Sequence, residues 1–310
     1  MDPVDALDDK ELAEHIGRAR IALQVRQATA PCPAALPITN SYFTKLYDKD
    51  ELEDIVCAIT RARNLGIRTP FIKRTVPLPN STRIECITQR IHGPTLEECW
   101  TSLGWFSTIR LAFQLRGMVH RMRTVTSLTA GSPGTGICRS LWLEEYYGVP
   151  PKASVAVISS IVNFWFNLVN FRREASKTVE QHKETCSAGP IQPEANLVFT
   201  HTDLAPRNII LEEQTKNLWL IDWDLSGYYP TYFEFAGMRN FIIPPDWGWF
   251  GELRWKLFCW IAAGWYEKER VMLNEVHRKA GRFPAARRFS IKAGATPSQK
   301  LVDDPAETNT

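Results

Sequence analysis

Apolar and polar positions along this chain follow two periods, and the change from one to the other outlines its elements. From Asp8 to Val25 the spacing is helical, with Leu12, Ile16, Ala19 and Leu23 on one face. Pro31, Pro33 and Pro37 end that helix and lead into Tyr42-Phe-Thr-Lys45-Leu-Tyr47, a β-prone run in which one lysine alternates with apolar and aromatic residues. Helical spacing returns over Glu51–Leu65, where Leu52, Ile55, Val56 and Ile59 make an apolar stripe. Two further β-prone runs, Phe71–Val76 and Ile84–Ile91, complete a small sheet. Gly93-Pro94 then marks the passage to a mainly helical remainder, opened by the capping box that Thr95 makes with Leu96-Glu-Glu98. Helices are predicted near residues 106–125, 152–184 and 250–279. The tail from Ala280 to Thr310 is rich in Ala, Pro, Ser, Thr and charge, lacks apolar periodicity, and is expected to be disordered.

One segment carries chemistry. His201-Thr-Asp203-Leu-Ala-Pro-Arg-Asn208-Ile-Ile-Leu211 is followed by Leu220-Ile-Asp222-Trp-Asp224. Phosphoryl transfer demands positioning and charge neutralisation more than covalent work. An Asp two residues after a His can orient an acceptor hydroxyl and take its proton, and an Asn five residues later can reach a magnesium ion on the nucleotide. Asp203 and Asn208 fit those roles, with His201 as the other catalytic-loop candidate, read as a scaffold more than as an acid or base. Ile209–Leu211 and Leu218–Ile221, joined by the polar Glu212–Asn217, read as a hairpin that returns Asp222 beside Asn208. Magnesium keeps several waters, so one carboxylate, one amide oxygen and the nucleotide phosphates suffice to hold it. His, Asp and Asn in loops often only cap or turn. Five such features in this order are hard to obtain from capping alone. Asp224 is open to either a metal or a capping role.

The stretch from His201 to Pro230, above all Pro206-Arg-Asn-Ile-Ile-Leu211 with Ile221-Asp-Trp-Asp-Leu-Ser-Gly-Tyr-Tyr-Pro230, resembles the aminoglycoside phosphotransferase family, particularly its large fungal branch. That resemblance implies an α+β, two-lobed, protein-kinase-like fold with a small, abbreviated β-sheet N-lobe and a mainly helical C-lobe. Residues 1–30 become an N-terminal helical extension, 34–92 a nucleotide-binding lobe, 93–279 a catalytic lobe and 280–310 the tail. It also implies ATP as phosphoryl donor, Mg2+ as cofactor and a small-molecule hydroxyl as acceptor. Lys45 becomes the lysine that bridges nucleotide phosphates and pairs with a carboxylate on the next helix. Glu53 is the chosen partner, with Glu51 and Asp54 as competitors. Gln89 and Ile91 fall where a hinge would read adenine through its backbone, and Asn208 and Asp222 become the metal ligands. Two departures stand out. No glycine-rich loop precedes Lys45, where Ala34–Ser41 stands instead, and Ala205 replaces the lysine that protein kinases carry near the transferred phosphate. Protein substrates are therefore disfavoured, and a catalytically silent, kinase-like scaffold is the alternative reading.

Composition narrows the rest. The 310 residues are 44% apolar, enough for a sizeable core, and the formal net charge of +3 includes no basic patch, so nucleic acid is not expected as a partner. Seven scattered cysteines without C-x-x-C spacing and an acidic Met1–Asp9 without a basic-then-apolar leader suggest a cytoplasmic protein. The most apolar stretch, Val155–Val169, is shorter than the ~20 residues a membrane span requires, and no membrane partner is expected. For the acceptor, Gly131–Gly136 through Trp142–Tyr147 and Tyr228–Glu234 combine carboxylates with aromatics, although a flexible connection for Gly131–Gly136 and packing of the lobe for Trp142, Tyr146 and Tyr147 is the preferred account. Oligomeric state leaves no signal.

Overall fold

The first helical pattern folds as α1 (Pro3–Ala6) and α2 (Asp9–Arg26), and its apolar stripe has a definite target. Leu12 and Ile16 are buried against Leu36, Val76 and Ile87 of a sheet. The computed structural model describes residues 2–26, 35–78, 81–144, 149–168 and 196–282. Its small sheet comprises β1 (Ala35–Pro37), β2 (Tyr42–Asp48), β3 (Ile72–Pro77) and β4 (Arg83–Gln89) in the order β1-β2-β4-β3, all antiparallel. Helix α3 (Lys49–Asn64) crosses between β2 and β3, its inner face Leu52, Ile55, Ala58, Ile59 and Ala62 buried, whereas Val56, read as part of the stripe, is exposed. Asp48 and Glu51 cap it reciprocally.

Among the described residues, two ion pairs fasten α2 to this sheet, an exposed one between Asp9 and Arg74 at 2.6 Å and a buried one. Glu85, 1% exposed, accepts both Arg20 Nε at 3.0 Å and Arg20 Nη2 at 2.9 Å, and Thr44 Oγ1 donates to it at 2.7 Å. A carboxylate so buried persists because charged and neutral donors share it.

After the Thr95 capping box, α4 (Leu96–Cys99) and α5 (Trp105–Arg123) begin the helical part. Short strands β5 (Thr126–Ser127), β6 (Arg139–Ser140) and β7 (Leu143–Glu144) precede α6 (Val155–Asn167). The expected continuation of that helix to residue 184, together with Tyr146, Tyr147 and the tail from residue 283, lies outside the described residues. Strand β8 (Leu197–Thr200) leads into the motif segment, followed by the hairpin β9 (Ile209–Leu211) and β10 (Leu218–Leu220), then β11 (Gly227–Tyr229) and α7 (Tyr232–Met238). The helix expected over 250–279 is in fact two, α8 (Gly248–Ala263) and α9 (Glu267–Arg282). Gly264, at φ 95°, takes the left-handed conformation that ends the first of them. Trp100, Leu111, Leu115, Met118, Trp255 and Phe258 form the main core beneath the motif segment.

The Arg20–Glu85 pair generates a stability test. Arg20→Ala strands Glu85 and should destabilise the chain by about 2–4 kcal/mol in urea unfolding, whereas Arg20→Leu combined with Glu85→Leu should recover at least half of that loss.

Candidate active site

Two left-handed residues flank the motif segment. Thr202 at φ 66° and Asp222 at φ 63° are both non-glycine; the first turns the chain just before Asp203, and the second carries a carboxylate that lines the interlobe cleft. The surroundings hold them there. Glu234 of α7 accepts the His201 backbone N–H at 2.8 Å and that of Thr202 at 3.1 Å, and Thr202 Oγ1 donates to the Leu225 carbonyl at 2.7 Å. Gly237 presses α7 directly on the Thr202 carbonyl, leaving no space for a Cβ. From sequence, Glu234 figures only in the Tyr228–Glu234 acceptor candidate and Gly237 not at all, because no local spacing links them to the loop; here Glu234 is buried on backbone amides instead.

His201 is fully buried, and burial depresses its pKa although Asp203 and Asp222 pull the other way. Its Nδ1 faces the Asp203 N–H at 3.4 Å, which leaves Nε2 to donate to the Ile221 carbonyl at 3.0 Å. This neutral ring ties the loop to the Asp222 segment, the geometry of a scaffold. Hairpin register does the rest: Leu218 pairs with Leu211 and Leu220 with Ile209, and the Ile221 N–H donates to the Asn208 carbonyl at 3.0 Å. Asp222 is thereby set beside Asn208. Asn208 Nδ2 donates to Asp203 Oδ2 at 2.8 Å and to the Asp203 carbonyl at 2.9 Å, leaving its amide oxygen as the atom to meet a cation. Arg207 Nη2 also reaches both Asp203 oxygens at 2.8 Å, a contact the spacing did not suggest.

Lys45 is the point of correction. Its Nζ lies 2.9 Å from Asp222 Oδ1 and 2.5 Å from Asp224 Oδ2, so its carboxylate partners come from the motif segment and not from α3. Glu53 points outward and is exposed, one residue off the buried stripe. Asp54 is buried but already accepts from the Thr135 N–H at 2.7 Å and Arg139 Nε at 2.9 Å, while Glu51 caps α3 through the Asp48 N–H. Burial opposes the charge on Lys45, but Asp222 and Asp224 outweigh it and hold its pKa above the ordinary lysine value. Asp222 is held below the usual carboxylate range because Lys45 overcomes its burial. Asp224 is pushed up to about 6 by burial and by the charge of Asp222, even though Tyr47 donates to it at 3.0 Å.

These groups line a cleft. A cavity of about 270 Å3 is bounded by Phe43, Lys45, Gln89, Ile91, Asn208 and Asp222, so both expected hinge residues border the same space as the metal candidates. A second cavity, about 390 Å3, adjoins it through Lys45 and Tyr47 and is edged by Glu51, Arg139 and Asp224. Of the acceptor candidates, Gly131–Gly136 is a closed turn in which the Gly136 N–H donates to the Ser132 carbonyl at 3.1 Å, and Trp142 is buried against Phe233. Among the described residues no three His, Cys, Asp or Glu side chains converge as a metal cage. Asn208 and Asp222 nonetheless have the oxygen chemistry that suits a magnesium ion arriving with phosphates.

Glu234 makes the loop pH-sensitive. Burial raises its pKa to about 7 from an ordinary 4.5, against the pull of the His201 and Thr202 amides and Arg123. Stability from this group is therefore full below pH 4.5 and is lost as pH rises through about 7. Glu234→Gln should remove that component of the slope in thermal melts across this window. It should also lower Tm at acid pH, because an amide accepts only one of the two N–H groups.

In comparisons with known proteins, residues 148–242 match the choline/ethanolamine kinase family model, a region that contains the motif segment. No curated protein matches the chain. The GDP complex of wild-type aminoglycoside 2'-phosphotransferase-IIIa superposes with a TM-score of 0.51 at 10% identity, covering 91% of this chain and 95% of that one. The crystal structure of aminoglycoside-3'-phosphotransferase of type VIII gives a TM-score of 0.47 at 15% identity, over 86% and 99%. The chain has a two-lobed, protein-kinase-like fold.

Proposed function

We propose that this protein is an ATP-dependent phosphotransferase acting on a hydroxyl of a small molecule. The observation that carries the reading is convergence: Lys45, Asn208 and Asp222, drawn from two lobes, line one cleft, with Lys45 bonded to Asp222 and Asn208 bonded to Asp203 of the adjoining loop. In it, Asp203 orients the acceptor hydroxyl and takes its proton, while Lys45 exchanges a carboxylate for the nucleotide phosphates. Asn208 and Asp222 would hold magnesium, which when bound neutralises phosphate charge. The adenine would lie between Phe43 and the backbone at Gln89 and Ile91. The match of residues 148–242 to choline/ethanolamine kinases supports a small-molecule acceptor, as does Ala205. The wording of Pro206–Leu211 and Ile221–Pro230 favours the fungal branch of aminoglycoside phosphotransferases.

A second reading, a silent kinase-like scaffold, is favoured by one specific feature. In the turn joining β1 to β2, the Ile38 and Thr39 N–H groups donate to the Tyr42 carbonyl and those of Ser41 and Tyr42 to Thr39 Oγ1. Amides that would cradle phosphates are spent within the hairpin.

Thermal melts with ATP and magnesium separate the two. Wild type should gain about 2.7 kcal/mol at a hundred times its Kd, and Asp222→Ala should lose that gain. Asp203→Asn should keep the nucleotide shift but lose about 10²–10⁴-fold in ADP release across a panel of sugars, amino alcohols and aminoglycosides. No shift at millimolar ATP favours the scaffold.

A further inference from the structure

Large apolar side chains left in solvent are concentrated on one part of the surface. Of the fourteen among the described residues, eight lie on α5 and α8, including Phe106, Ile109 and Phe113 on the first and Trp249, Phe250 and Trp260 on the second. Phe106 is 82% exposed, Phe250 68% and Trp249 67%, with the last two rings in edge contact at 4.8 Å. The two helices lie side by side and run the same way. Near their starts Arg254 donates to the Leu103 carbonyl, and further along Arg116 Nη1 donates to the Ile261 carbonyl at 3.0 Å. Their inner faces, Leu111 and Leu115 on one and Trp255 and Phe258 on the other, share the main core. Their outer faces therefore turn to solvent together, with residues 106, 109 and 113 and residues 250, 253 and 260 at helical spacing. None of these residues lines the interlobe cavities, so the face stays free whatever fills the cleft.

An apolar patch of this kind is uncommon on a soluble monomer and marks an interaction surface. Its chemistry selects the partner. The side chains are Trp, Phe and Ile, the apolar complement of helices that lie at a bilayer interface, and among the described residues the unpaired flanking charges on the helices are cationic: Arg110, Arg116 and Arg121 on α5. The acids nearby are Asp246, ahead of α8, and Glu252, which Lys256 already neutralises at 2.7 Å. A symmetric pairing with a second copy would set these cations against one another, whereas anionic headgroups complement them. Among the described residues no helix is long and apolar enough to cross a membrane, so the contact would be with the surface. We propose that the outer face of α5 and α8 docks the protein on an anionic lipid surface. This does not depend on the phosphotransferase reading.

Co-sedimentation with vesicles of phosphatidylcholine alone and of phosphatidylcholine with one quarter phosphatidylserine tests it. Wild type should partition onto the anionic vesicles, with a blue shift of tryptophan emission, and release as salt is raised. Phe106→Asp with Phe250→Asp and, separately, Arg110→Glu with Arg116→Glu should each lower partitioning by about tenfold while thermal melts show the fold retained. Absence of wild-type binding to anionic vesicles overturns the proposal. So does a wild-type dimer in sedimentation velocity that the Phe106→Asp, Phe250→Asp variant dissociates, since that assigns the face to a second copy.

Discussion

Two carboxylates, Asp222 and Asp224, crowd one side of the cleft and a third, Asp203, stands on the adjoining loop, and much of the structure around them serves to balance their charge. Asp222 and Asp224 share a single lysine, and Asp203 is shared by Asn208 and Arg207. Two like charges about 5 Å apart repel by about 3 kcal/mol at the effective dielectric of a protein surface, so an uncompensated set would not persist. The compensating Lys45 comes from the small sheet. The charge constraint that preserves the site thus also fastens one lobe to the other, across 177 residues of chain. A nucleotide with its cation could enter this arrangement by exchange, taking Lys45 for phosphate and giving Asp222 a metal.

What was legible in the sequence was whatever local spacing encodes. The hairpin from Ile209 to Leu220 formed where two apolar runs flank a polar turn, and it returns Asp222 beside Asn208 as that pattern predicts. The buried stripe of α3 and the Thr95 capping box followed in the same way. Long-range selection was not legible. Glu234 and Gly237 reach the catalytic loop only because α7 folds back on Thr202, and no pattern inside α7 marks an acid there as a clamp on backbone amides. Gly264 was read past because apolar residues continue on both sides of it, and only its left-handed φ separates α8 from α9.

The Lys45 partner shows how a family register can mislead at one residue. A helix turns about 100° per residue, so with Leu52, Ile55, Ala58 and Ala62 inward, Asp54 falls beside the buried face and Glu53 is carried to the opposite, solvent side. Asp54 then has an obligation of its own. It binds the 131–139 loop through Thr135 and Arg139, an arrangement that replaces a lysine–helix pair with a loop–helix pair. Lys45 is left to the Asp222-Trp-Asp224 segment, where the second acid, read from sequence as either a metal or a capping group, supplies the shorter of its two contacts.

The same accounting bears on how a nucleotide would be held. In a glycine-rich loop, free backbone amides carry much of the phosphate recognition. Here the β1–β2 turn is tight and its amides are bonded inside the hairpin, so opening it to face phosphates would sacrifice those bonds. In the proposed reading, recognition of the phosphates would fall on Lys45 and on a cation held by Asn208 and Asp222, while the largely apolar walls of the 270 Å3 cavity, among them Phe43, Ile91 and Trp223, would be left for the base. Apolar burial is insensitive to salt and to magnesium, whereas the charge-assisted part is not. A nucleotide site built this way leans on its metal more heavily than one with an amide cradle, because removing the cation leaves a single lysine to balance the phosphates against two acids.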